Sequence, residues 1–244
     1  MQVTNLSYFY ETAKQLRGGK WVWVKDSNGE SRNNVLLGGT ILNPKDGFDH
    51  LYAAQLVQYT PGEGCLIFRS FKVFADAASN ATTIYLDGDG YSDAPEVGML
   101  LMVAPSVARV PADESDADES DEGDGYTYTT GQSAKVTNVV YDEANQKFAV
   151  TLSVALGVAL TTNTILVEAA GDDASATARV LVPNPNTFIE ADRDLLPTNG
   201  YGIENANYSI STVYNKQAWI ARMQPLPKYV LDMNRSYIEG IFWI

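Results

Sequence analysis

Histidine and cysteine are nearly missing. The 244-residue chain holds one of each, His50 and Cys65. A Ser/His/Asp or Cys/His arrangement can therefore be built only through His50, and no Cys/His metal cluster can form. A single cysteine also forbids an intramolecular disulfide. Basic residues are scarce as well, with 17 Lys and Arg against 30 Asp and Glu and a formal net charge of −13. That balance disfavours nucleic acid as a partner, because contact with phosphates needs a basic surface. Long apolar runs are lacking. The longest cover residues 99–103 and 154–160, and Gly157 interrupts the second. Both fall far short of the roughly 18 residues of a membrane-spanning helix. Residues 1–6 show no basic region followed by an apolar stretch, so no signal peptide and no membrane partner are expected.

What is present suffices for a folded body. Hydrophobic residues make up 45% and charged residues 19%, which supports a real core. The length fits one large domain or two small ones.

Segments of β type dominate. Residues 54–59, 65–68 and 71–74 are rich in branched and aromatic side chains. So are residues 82–86, 99–103, 134–141, 147–152, 164–168 and 178–182. They recur at short intervals without a helix pattern between them, and Asp142-Glu143-Ala144-Asn145-Gln146 has the length of a hairpin loop. The expected fold is mainly β, an antiparallel β-sandwich or small barrel with extended N- and C-terminal arms. Strand-loop-strand units at 82–104 and 148–170 echo one another, as a duplication or as any two pieces of an all-β chain.

Three regions follow from this. Residues 1–64 read as an N-terminal arm with a short helix at 8–17, a hairpin over 20–42 around Asn28-Gly29, and loops. Residues 65–183 read as the β domain, interrupted at 112–125. In that interruption, two in every three positions from Asp113 to Asp124 are acidic, and like charges at this density oppose folding. Residues 184–244 read as a C-terminal arm punctuated by Pro185, Pro197, Pro225 and Pro227 yet rich in Tyr and Trp. Pro225 and Pro227 are expected to hold it extended and keep it from turning helical. Its large apolar side chains need burial on its own domain or on a neighbour. Trp219, Ile220, Phe242 and Trp243 are the candidate interface anchors.

Candidates for chemistry are few. Asp87, Asp89 and Asp93 take positions 1, 3 and 7 of a calcium-loop pattern, but Ser92 stands where that loop needs Gly and Gly98 where it needs Glu. A polar hairpin tip accounts for the same residues. His50 is a lone loop histidine, and Cys65 lies in an apolar run as a small hydrophobe. Gly18-Gly19-Lys20 and Gly38-Gly39-Thr40 lack phosphate-loop spacing. No catalytic residue, cofactor or metal is assigned, and the chain is expected not to be an enzyme. Aromatic residues among Asn and Thr can instead form a sugar-binding face, with Tyr126 and Tyr128 beside the acidic run as the accessible candidates.

Several phrases carry a family resemblance. Residues 82–86 followed by Val97-Gly98-Met99-Leu100-Leu101 resemble the strand units of tailed-phage head decoration and head fibre proteins. Residues 135–142, 147–152 and 165–170 resemble auxiliary capsid proteins of gut-bacterial phages, the crAss-like group included. Tyr214 to Trp219 and Arg222-Met223-Gln224-Pro225-Leu226-Pro227 are similar to the terminal segment of those proteins. The likeness spans about residues 70–244 and leaves the N-terminal arm and the acidic insertion unmatched. It implies a non-enzymatic virion protein assembled in the host cytoplasm. The implied partners are the major capsid protein, other virion proteins and further copies of the chain. The rival expectation is a carbohydrate-binding or adhesive β domain.

Overall fold

The computed structural model describes residues 30–32, 41–43, 50–52, 54–60, 63–89, 94–111, 126–189, 193–194, 212–214, 217–218, 223–233 and 242–243. The fold is mainly β and almost wholly antiparallel, as the alternating segments predict. The first strands are β1 (Glu30–Arg32), β2 (His50–Leu51), β3 (Leu56–Thr60), β4 (Gly64–Ile67), β5 (Ser70–Lys72) and β6 (Thr83–Asp87). Then come β7 (Leu100–Val103), β8 (Arg109–Pro111), β9 (Tyr126–Tyr128), β10 (Ala134–Asp142), β11 (Lys147–Leu152) and β12 (Ile165–Ala170). The last are β13 (Arg179–Val180), β14 (Thr187–Ile189), β15 (Arg193–Asp194), β16 (Thr212–Tyr214), β17 (Gln217–Ala218) and β18 (Phe242–Trp243). Among the described residues one helix, α1 (Lys228–Met233), precedes β18.

Six strands close on themselves as a small barrel. Pairing runs β5-β12-β7-β10-β11-β6, every step antiparallel. The chain just past β5 then meets β6, through a Val73–Leu86 bridge and Phe74 N–H donating to the Tyr85 carbonyl at 2.8 Å. The barrel interior is apolar and draws on all six strands, with Phe71, Ile84, Leu101, Val136, Phe148 and Leu166 among its residues. The two echoing units lie against each other here, β6 on β11 and β7 on β12.

Phase along β10 is not uniform. Ala134 and Val136 are buried at even positions, but Val139 and Tyr141 pack on the core at odd ones. A register shift between Val136 and Asn138 accounts for the switch, since one extra residue turns every later side chain to the other face.

A second sheet, β1-β16-β14-β3-β4, flanks the barrel. It shares a core with the back of β7 and β12, where Met102, Val167 and Ala169 meet Leu56, Phe68 and Phe188. β7 and β12 are thus buried on both faces, which explains why Leu100–Val103 reads as a continuous apolar run. A third cluster sets Ile41, Leu51 and Ile189 against Cys65, which is buried as expected of a small hydrophobe.

The expected helix at 8–17 lies outside the described residues, as does most of the hairpin expected over 20–42. Of that stretch, β1 pairs with β16 and Ile41 is buried in the third cluster. Residues 112–125 also lie outside, while β8 and β9 on either side of them pair antiparallel. The expectation for Pro225 and Pro227 needs correction. Residues 225–227 are irregular, but α1 starts directly after Pro227, whose carbonyl accepts from the N–H groups of Val230 and Leu231. A fixed φ suits the first turn of a helix, so proline there starts α1 rather than preventing it.

Candidate functional site

Part of the C-terminal segment folds onto its own chain. Met223, Leu226, Tyr229 and Val230 are buried in the core shared by the two sheets. Polar groups fix this cap. Gln224 Nε2 donates to the Phe68 carbonyl at 3.0 Å, Ser70 Oγ to the Pro225 carbonyl at 2.5 Å, and the Tyr229 hydroxyl to the Val182 carbonyl at 3.1 Å. Tyr229 also meets Phe68 edge to face, and burial pushes its phenol pKa far up, so it stays a neutral donor.

Beneath the cap lies a buried charge. Arg69 is enclosed, its guanidinium 3.2 Å from Glu168 Oε2 and 2.7 Å from the Asn43 carbonyl. The Asn43 side chain bonds Glu168 at 3.0 Å and brackets Ile67 through N–H and C=O at 2.8 Å each. This network ties three distant stretches of chain together. A charge inside the apolar run Ile67-Phe68-Arg69-Ser70-Phe71 was its signal in the sequence.

Of the expected anchors, Trp219 and Ile220 lie outside the described residues. Phe242 and Trp243 form β18, whose backbone pairs parallel with β17, and their side chains are outside the described set. His50 sits on β2 opposite Asp194, by backbone pairing. Tyr126 is placed only by its backbone on β9. Tyr128 is half-buried, with the Arg179 guanidinium 5.0 Å from its ring. Asp87 ends β6 and Asp89 follows it, while Asp93 lies outside the described residues. Among the described residues no group of three potential ligands stands close enough to hold a metal ion. No helix there is long and apolar enough to cross a membrane, which leaves membrane-spanning strands unaddressed.

Among the described residues, the exposed aromatic side chains are elsewhere, on the outer face of the barrel. Register places Thr83, Thr151 and Asn138 in one row across β6, β11 and β10. Tyr85, Ala149 and Val140 form the next row, and Asp87, Lys147 and Asp142 the third. The middle row is apolar yet open to solvent, with Val140 52% and Tyr85 38% exposed, and Phe74 beside it is 39% exposed. Lys147 Nζ lies 4.7 Å from the Tyr85 ring centroid, 5.4 Å from that of Phe74 and 3.8 Å from Asp142 Oδ2. The signal for Tyr85 was its phase: in Thr83-Ile84-Tyr85-Leu86 the tyrosine alternates with two core residues.

The ends of this face are pinned by carboxylates. Asp142 accepts from the Asn145 side chain at 2.7 Å and from the Asn145 N–H at 3.2 Å, which holds its pKa below the usual range. Asp173 accepts from the Ser153 hydroxyl at 2.5 Å and the Lys135 N–H at 2.8 Å, with the same direction of shift. Glycine is required at the hairpin end of the face. A Cβ on Gly88 would come within 2.7 Å of the Tyr141 ring and 2.8 Å of the Gln146 carbonyl.

The chain matches no protein-family model. It matches no curated protein.

Proposed function

We propose that the chain is a non-enzymatic structural protein of a phage virion, an auxiliary, decoration or head-fibre protein attached to the capsid. The observation that carries this reading is where the phage-like phrases fall. Residues 82–86, 97–101, 135–152 and 165–170 supply most of β6, β10, β11 and β12 and the start of β7, with turns between them. Gly98, in the strand-loop-Gly-strand phrase, has φ +98°, a conformation that favours glycine and so explains the residue at that place. The described part of the phrase at 222–227, from Met223 on, supplies the start of the cap. The segment beyond α1, ending in Phe242 and Trp243, together with Trp219 and Ile220, is the part assigned to the capsid and to neighbouring copies. Apolar burial at roughly 25 cal/mol per Å² lets a few aromatic anchors hold such an arm, and repeated neighbours on a shell add avidity.

The test is the composition of particles purified from the phage that encodes the chain. Mass spectrometry should find it in stoichiometric amounts, and immunogold labelling should place it on the head. Phe242→Ser with Trp243→Ser should leave the chain folded and lower its copy number per particle. Absence from purified particles overturns the proposal. Truncation after Pro227 does not serve as a test, because it also removes Tyr229 and Val230 from the core.

A further inference from the structure

We propose that the outer face of β6, β11 and β10 binds a neutral oligosaccharide, a disaccharide or trisaccharide in size. This goes beyond attachment to a capsid and uses a different surface.

Size is the first argument. Strands about 4.8 Å apart and rows about 7 Å apart give three strands and three rows a footprint of roughly 10 by 14 Å. A stable protein interface covers about 800 Å² on each partner, several times this area. A disaccharide or trisaccharide fits it.

Chemistry is the second. A pyranose ring has an apolar C–H face bordered by hydroxyls. The middle row offers Tyr85 and Val140 to the C–H face. Thr83 and Asn138 flank it on one side with a hydroxyl and an amide. Lys147 and Asp142 flank it on the other with an ammonium and a carboxylate. Polar groups of both donor and acceptor type thus border the aromatic on two sides, as a ring of hydroxyls needs.

Rigidity and charge complete the case. The face sits on a closed barrel, so its backbone needs little ordering at the moment of binding, and Lys147, which lies over the Tyr85 and Phe74 rings, swings aside where a sugar ring stacks on Tyr85. A net charge of −13 disfavours sialylated or sulfated glycans.

The experiment uses the full chain on an array of neutral di- to tetrasaccharides built from glucose, galactose, mannose and N-acetylhexosamines. The strongest binder is then titrated into ¹⁵N-labelled protein. Amide shifts are expected at Thr83, Tyr85, Ala149 and Val140. Tyr85→Ala should weaken binding about tenfold or more, as loss of an aromatic contact predicts, whereas Tyr85→Phe should keep most of it. Both positions tested are solvent-exposed, so Val140→Asp serves as a second variant with the same expected loss and an unchanged melting temperature. The proposal is overturned if no neutral glycan binds, if only anionic glycans bind, or if the shifts map elsewhere. It is equally overturned if Tyr85→Ala acts by splitting a dimer. None of these outcomes bears on capsid attachment, which is read from particle composition.

Discussion

The barrel and the sheet beside it solve the same problem in different ways. The barrel is built from residues 70–170 and fills its interior with apolar side chains from all six strands. The flanking sheet gathers β1, β3, β4, β14 and β16, and it pairs stretches as remote in sequence as Glu30 and Tyr214. Its pairs are short, and polar clamps supplement them: Asn43 on Ile67, Asn186 on Tyr59, Arg69 with Glu168, and Gln224 on Phe68. The barrel teaches that alternation and hairpins are enough where pairing is dense. The sheet teaches that remote segments, whose joining costs chain entropy, are held by specific hydrogen bonds as well as by burial.

The largest expected effect tests the barrel side. Phe148→Ala empties a fully buried site and should cost about 3–5 kcal/mol. Urea unfolding should show the whole chain losing stability together. If the flanking sheet survives alone, the two regions are independent.

Breaking the clamp side comes next. Glu168→Leu takes a carboxylate away from Arg69 inside the core, and removing one partner of a buried pair costs about 3 kcal/mol. Hydrogen exchange should report the comparison directly. The Ile67 amide, bonded to Asn43, should lose protection while Val150 in the barrel keeps it. Equal loss at both amides would erase the distinction between the regions.

Gly88→Ala asks whether the barrel's hairpin end tolerates a single methyl. The added carbon meets the Tyr141 ring and the Gln146 backbone, so a cost of about 1–3 kcal/mol is expected in thermal melts. Tyr229→Phe removes only the hydrogen bond from the cap to Val182 and should cost about 1 kcal/mol. A null result there would shift the cap's stability onto its apolar contacts.

The smallest effect is acid sensitivity. Asp142 and Asp173 both have carboxyl pKa values held below the ordinary 3.8, by Asn145 and by Ser153 respectively. A depressed folded value means that their contribution is present above the unfolded pKa and is lost as pH falls through the folded one. Melting temperature should therefore decline as pH drops below about 4, and Asp173→Asn should flatten that decline. The hydrogen bonds that cause the shifts come from neutral donors, so added salt should change the effect little.

How far the fold was legible follows the same division. β6, β11 and β12 show apolar residues at alternate positions or in short runs, and their ranges match the sequence reading closely. The cap was hidden because Pro225 and Pro227 read as helix breakers, although Pro227 directly before Lys228-Tyr229-Val230 is also a helix-start signal. Tyr126 and Tyr128 were expected at an accessible face because of their acidic neighbours, yet Tyr128 is half-buried against Arg179. The pair exposed among the described residues, Phe74 and Tyr85, belongs to segments read simply as strands. Arg69 was passed over because one charge among hydrophobes gives no hint of its partner, and Glu168 lies far along the chain on β12.

By itself, the sequence determined the class of fold and the positions of the barrel strands. Alternation is a property of the extended backbone and needs no partner to be read. Composition likewise set the acidic surface and the poverty of nucleophile–base pairs. Tertiary structure alone decided that the barrel closes through Val73 and Leu86, and that of two adjacent valines Val139 turns inward and Val140 outward. Closure and facing depend on which strand lies alongside and on a one-residue bulge in β10. Those are choices made by burial over the whole chain, between segments whose local patterns are nearly alike.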